Sequence, residues 1–236
     1  MCTVSFIPQK EGFVFTSNRD EDPGRAANQL MEKQQSLSKV YYMEDPLAKG
    51  TWFAFAPHRF ACVLNGAFVA HQRKAAYRLS RGAMALASFD YPTIAEFTQK
   101  FDFQGIEPFT LLLYNRGDFQ ECVWDEEQLH VKKLSTKASH LWSSCTLYTR
   151  ERWKSRKEDL LDWNKIFKSQ SEIIQFHKAH MPFSATHLQE RLGTCEKLTN
   201  IPLQTTSVSS IDASAEGFSF VFESLVNSTR IEKSLN

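Results

Sequence analysis

Apolar and polar positions fall into stretches of distinct period along this chain. Cys2 to Ile7 and Phe13 to Ser17 are β-branched and aromatic, with the turn segment PQKEG between them, which predicts a hairpin. The hairpin's far end delivers the polar cluster Asn18-Arg19-Asp20-Glu21. That cluster comes level with residue 2 only if the turn is long enough to shift the register. Asp20 to Ser38 is polar, contains Pro23 and Gly24, and predicts a covering loop. TWFAFAP (Thr51 to Pro57) and FACVLN (Phe60 to Asn65) are nearly continuous apolar runs around His58-Arg59, which predicts strands buried on both faces.

The middle of the chain changes period. Arg73 to Phe89 is rich in Ala, Leu and Met and predicts a helix that Gly82 interrupts; a second helix starts near Thr93, behind Pro92. Phe109 to Asn115 and Phe119 to Trp124 form a hairpin across RGD, and Leu129 to Leu134 is a short strand. Thr149 to Ser169 carries Trp153, Leu160, Leu161, Trp163 and Phe167 among charges and predicts an amphipathic helix. Further helical pieces are expected over Glu172 to Ala179 and Ala185 to Leu192. TTSVSSID and GFSFVFESL close the chain as a strand pair. Strands, then helices, then strands predict a single layered α+β domain over residues 1–236.

Composition narrows the function classes. The 236 residues are 42% hydrophobic and 23% charged, with a net charge of +1, so no overall field draws the chain to nucleic acid or anionic membrane. No stretch approaches the roughly 18 apolar residues that span a bilayer, and FTLLLY (Phe109 to Tyr114) is a buried strand. The start lacks the basic and apolar regions of a signal peptide. Cys2, Cys62, Cys122, Cys145 and Cys195 are odd in number and show no CxxC spacing, which points to a reducing cytoplasm rather than a disulfide framework. His177 and His180 in HKAH have the spacing of two metal ligands but no recognisable third, so neither a metal nor another cofactor is expected. RERWKSRKED (Arg150 to Asp159) reads as a solvated amphipathic face. The 19 phenylalanines fit an apolar pocket and a plain core equally well.

The candidate chemistry lies at the start. Removal of Met1 would give Cys2 both a thiol and a free α-amine with a pKa of roughly 7.7–8.0, a nucleophile and a base in one residue. The alternative is an inert cysteine in a first strand. Asp20 is placed to accept a hydrogen bond from that amine, and Asn18, Arg19 and Glu21 to contact substrate; the alternative is a charged strand end with internal ion pairs. Asn65, before Gly66, offers an amide to a developing oxyanion or simply ends a strand. Ser143 and Ser144 likewise point donors into a site or end a strand.

MCTV, the strand ending in SNRDE, GTWFAF, ACVLNG, SRG (Ser80 to Gly82), PF (Pro108-Phe109), WD (Trp124-Asp125), SSCTLY (Ser143 to Tyr148) and TTSVSSID occur in this order. Together they resemble the NRDE family, also called the Transport and Golgi organisation protein 2 family, over nearly the whole chain. That family is similar to N-terminal-nucleophile hydrolases, and more distantly to the choloylglycine hydrolase and penicillin V acylase group. The resemblance implies a four-layer αββα sandwich. It implies Cys2 as nucleophile, Asp20 as the residue holding its amine and Asn65 in the oxyanion hole, with Ser144 where the hydrolases place a second asparagine. Two functions follow as expectations: hydrolysis of a small-molecule amide or acyl substrate, or carriage of an apolar ligand such as haem, a lipid or acyl-CoA. A structural partner of secretory machinery is a third. Specificity is expected in Asp20 to Ser38 and around Ala67 to Tyr77.

Overall fold

Residues 2–163, 169–183, 203–215 and 217–235 are described by the structure, a computed structural model. The chain forms two compact units, Met1–Asn28 with Lys137–Asn236, and Gln29–Thr136. Both are α+β. Among the described residues they hold four α helices and two antiparallel sheets, of six and seven strands.

The first unit starts with a hairpin, β1 (Cys2–Gln9) and β2 (Gly12–Glu21). Gln9 pairs with Gly12, so only Lys10 and Glu11 make the turn. Gly12 has φ +114°, and a Cβ there would meet the Ala213 carbonyl oxygen at 1.7 Å, so only glycine fits. The register then runs without a shift to Cys2 opposite Arg19. The Asn18–Glu21 cluster is therefore the end of β2 itself and not a segment beyond it. Polarity at residues 18–21 does not end the strand, because β11 (Gln204–Ser214) pairs with it from the other side, Thr205 opposite Asp20 and Ser207 opposite Arg19, with a bulge between.

β10 (His140–Ser143), β12 (Gly217–Ser224) and β13 (Arg230–Leu235) complete the sheet in the order β10-β1-β2-β11-β12-β13. Two helices, α3 (Arg150–Trp163) and α4 (Gln170–His180), pack on one face. Ile7, Val14 and Leu141 from the sheet meet Leu160, Ile173, Phe176 and Met181 there. Ser169 caps α4 by accepting from the Glu172 amide. The strand β13 is absent from the sequence expectation, since its charged positions give an edge strand little apolar signal. The helical piece expected over Ala185 to Leu192, the end of the one expected to reach Ser169, and Cys195 fall outside the described residues.

The second unit is a meander in chain order: β3 (Leu30–Gln34), β4 (Lys39–Glu44), β5 (Thr51–Ala56), β6 (Arg59–Asn65), β7 (Phe109–Asn115), β8 (Asp118–Trp124) and β9 (Leu129–Lys133). Every residue of β5 is buried, as its apolar run predicts. The expected loop over Asp20 to Ser38 is corrected: it contains β3, whose exposed polar positions hide an edge strand paired to β4. The expected helix over Arg73 to Phe89 is also corrected. Helix α1 spans only Arg81–Ala87, because Ser80 caps it by accepting from the Ala83 amide, and Ser88–Asp90 continues as a 3-10 turn. Gly82 does not interrupt this helix but seats it. A Cβ on Gly82 would lie 2.4 Å from the Thr51 nitrogen and 2.6 Å from its oxygen, so α1 lies directly on the backbone of β5. Helix α2 (Ile94–Lys100) starts at its Thr93 cap as expected.

The phenylalanines build core. Phe53, Phe60 and Tyr114 stack in sequence, with ring centroids 6.4 and 5.4 Å apart, and Phe97, Phe101 and Phe103 cluster beside Phe109. Among the described residues Cys2, Cys62, Cys122 and Cys145 form no disulfide with one another. No described helix is long and apolar enough to cross a membrane.

Candidate functional site

Side chains alternate between the two faces of the first unit's sheet. Cys2, Arg19, Ser17 and Ser207 share one face; Thr3, Asn18, Asp20 and Thr205 share the other, which carries α3 and α4. Consecutive residues of one short segment therefore serve two different environments.

On the first face Cys2 is fully buried, and its carbonyl accepts from the Ser144 amide at 3.0 Å. Burial pushes the Cys2 thiol up, and the charge of Asp20 adds to that; the Arg19 guanidinium and a hydrogen bond with Ser17 act in the opposite direction. Arg19 is also buried. It donates to the Arg25 carbonyl and lies 3.9 Å from Glu21, which pairs with Arg25 at 3.2 Å. The hydroxyls of Ser207 and Ser209, buried on this face, have no hydrogen-bond partner among the described residues.

On the helix-covered face the Asp20 carboxylate has no exposure. Tyr148 donates to one oxygen and Thr205 to the other, each at 2.7 Å. The Phe183 amide donates to Thr205 in turn, at 2.7 Å. Burial raises the Asp20 carboxyl above its ordinary range, and the two hydroxyl donors only partly offset it. Burial raises the Tyr148 phenol well above its ordinary value, with the Asp20 charge adding to it. The Arg156 guanidinium lies over the Tyr148 ring, 4.1 Å from its centroid, and donates to Thr3 and to the Pro182 carbonyl.

Asn18 and His177 form a third group. Asn18 donates to the carbonyls of His177 and Met181, at 3.2 and 2.9 Å, and its oxygen lies 2.8 Å from His177 Nδ1. His177 Nε2 lies 2.7 Å from the Ser5 hydroxyl. Asn18 therefore donates through its nitrogen, and its oxygen accepts from Nδ1–H; His177 Nε2 then accepts from Ser5. Burial, helped by the Arg156 charge, lowers His177 to about 3, so the imidazole is neutral. The amide of Asn18 is committed to anchoring α4 rather than presented to a ligand. His180, its neighbour in HKAH, stacks on Phe176 and lies tilted against Trp163, and among the described residues no group of metal-ligating side chains is assembled.

The structure thus brings Cys2, Asn18, Arg19, Asp20, Glu21 and Ser144 together in one unit. Ser144 closes a turn after β10, its hydroxyl 2.8 Å from that of Thr146. Asn65 belongs to the other unit, at the end of β6 opposite Phe109, where Gly66 takes a positive φ of 86° and donates to the Pro108 carbonyl. Sequence reasoning misses Tyr148, Arg156, His177 and Thr205 as parts of the site. Tyr148 and Thr205 stand inside quoted motifs, SSCTLY and TTSVSSID. Arg156 gives no signal, since it sits in a stretch whose charges otherwise face water.

A family model for Transport and Golgi organisation 2 (TANGO2) matches residues 1–234. The chain belongs to the Transport and Golgi organisation 2 family. No curated protein matches it. The family match covers both units.

Proposed function

We propose that this member of the Transport and Golgi organisation 2 family is a cysteine-dependent hydrolase of an amide or related acyl bond, with Cys2 made amino-terminal by removal of Met1. One observation carries the reading. Asp20 is a fully buried carboxylate held by two neutral hydroxyls, with no cation in direct contact among the described residues, and it directly follows the cross-strand partner of Cys2. A buried charge is stabilised by an opposite charge, and the amine of Cys2 supplies one at this strand end once it has taken the thiol proton.

In this proposal the α-amine takes the thiol proton and the thiolate attacks the substrate carbonyl carbon, forming the C–S bond. The tetrahedral oxyanion is stabilised by hydrogen-bond donors. The ammonium then protonates the leaving nitrogen as the C–N bond breaks. Water, deprotonated by the same amine, hydrolyses the thioester and restores the thiol. Asp20 orients the amine, the Ser144 amide fixes the Cys2 carbonyl, and Arg19 and Glu21 shape the substrate side of the strand end. The four-layer αββα sandwich belongs to the same proposal. Its support is that each unit is itself a sheet carrying helices.

The test uses the purified full chain with a panel of N-acyl amides and acyl thioesters. Turnover that Cys2→Ala lowers by roughly three orders of magnitude or more, with an unchanged circular dichroism spectrum, is the expected result. Equal turnover by Cys2→Ala overturns it. So does inertness of the wild type toward the whole panel together with a stoichiometric apolar ligand, haem or lipid, retained through purification; that outcome gives the carrier reading instead.

A further inference from the structure

We propose that Arg156 is a second, remote cation for Asp20 beside the amine of Cys2, acting through Tyr148, and that the three side chains form a built-in device that favours the ionised Asp20 carboxylate. The role of this device in catalysis rests on the hydrolase reading above; the electrostatic arrangement does not.

The argument begins with two buried ions. Asp20 is 0% exposed and Arg156 is 2% exposed. Charged groups this deep are almost always in direct ion pairs. Among the described residues neither has one. Arg156 donates to a hydroxyl and a carbonyl, and its Nε has no hydrogen-bond partner at all. Asp20 accepts only from hydroxyls. What separates them is Tyr148, 4% exposed, whose hydroxyl is on Asp20 and whose ring face is under the guanidinium. The cation polarises the phenol whose proton the carboxylate accepts. In a low-dielectric interior a cation one ring away still acts strongly on a carboxylate.

The groups facing Asp20 come from every element around it. On its own face they are Thr205 on β11, Tyr148 ahead of α3, Arg156 on α3, and neutral His177 on α4 close to Arg156; Arg19 and Glu21 in its own strand and Cys2 on β1 take the opposite face, and the positive amino terminus also acts on it. Arg19 and Glu21 are partnered with each other and with Arg25. Among the described residues Arg156 is a buried cation of the helix-covered face that makes no direct ion pair with a carboxylate. Separating the pair leaves the Asp20 oxygens on the strand end undamped by a guanidinium fork, with room for an additional donor. A direct Arg–carboxylate fork would occupy both oxygens. Arg156 is a positioning residue in this scheme, since it acts through another side chain.

The test is the titration of Asp20, followed by carbon NMR of aspartate-labelled full chain and assigned by the signal lost in Asp20→Asn. Arg156→Gln is expected to raise the Asp20 midpoint by at least one pH unit, a tenfold change in proton affinity, and Arg156→Lys to recover most of it. Tyr148→Phe is expected to raise it as well, and it serves alone if Arg156→Gln fails to fold. An unmoved midpoint in a folded Arg156→Gln or Tyr148→Phe protein overturns the proposal. The two readings fail separately. A moved midpoint in a protein without turnover removes the hydrolase and leaves this arrangement standing; turnover with an unmoved midpoint does the reverse.

Discussion

Cys2 and Asp20 lie on adjacent strands one residue out of register, and their side chains leave the sheet on opposite faces. The thiol is with Arg19 and Ser17, and the carboxylate is with Tyr148 and Thr205. Direct thiol–carboxylate contact is therefore not how the two would cooperate. In the proposed mechanism the group that joins them is the main-chain nitrogen at the start of β1. This is the geometric reason for assigning the base role to the amine and only an orienting role to Asp20.

Asp20→Asn tests that division of labour. The amide keeps an oxygen acceptor and the strand pairing, so the fold persists. Alkylation of Cys2 by iodoacetamide at neutral pH is expected to slow by about 10²-fold, the lower end of what a positioned base contributes. Stopped alkylation time courses on folded wild type and variant check it.

Stability should depend on pH through His177. Its pKa is lowered to about 3 in the fold against 6.5 when unfolded. Between those values the unfolded chain binds a proton that the folded chain does not. The contribution is present in full above pH 6.5 and is lost as pH falls toward 3, on the order of a few kcal/mol in all. Urea midpoints at pH 7 and pH 5 should fall in wild type and change less in His177→Gln.

Asn18→Ala leaves two α4 carbonyls and the Nδ1 proton of His177 without their partner. Each is buried, and the expected cost is about 2–4 kcal/mol. Hydrogen exchange should show α4 amides opening before those of β1 and β2. Equal protection of α4 in the variant would contradict the anchoring role.

Gly82→Ala probes the second unit alone. The added methyl has nowhere to go against the Thr51 backbone, and a loss of about 2–4 kcal/mol is expected. A thermal melt of the variant reads it.

Much of the strand framework was legible in the sequence because apolar runs such as Thr51–Ala56 and Phe109–Asn115 sit in the middle of sheets. The edge strands β3 and β13 were not, since half of each faces solvent and their alternation is weak. Helix α1 was overdrawn because Ala and Leu content carries no boundary, whereas the Ser80 cap does. The candidate site divides the same way. Cys2 and the Asn18–Glu21 cluster are contiguous in the chain and stand out by their polarity in a strand. Asp20's partners are Tyr148 and Thr205, with Arg156 over the Tyr148 ring, all brought in by folding over long separations. The contact of Asn18 with α4 is hidden for a related reason: its partner is a helix some 160 residues away along the chain, which no local pattern announces.

The most direct test of the central claim is the intact mass of the protein purified from its native host, followed by the mass after brief exposure to an activated acyl thioester. The account predicts a chain short by the initiator methionine that gains one acyl group, mapped to Cys2 and absent in Cys2→Ser with Met1 likewise removed. A chain that retains Met1, or whose amino terminus is blocked, would contradict it, because Cys2 would then have no amine to act as its base.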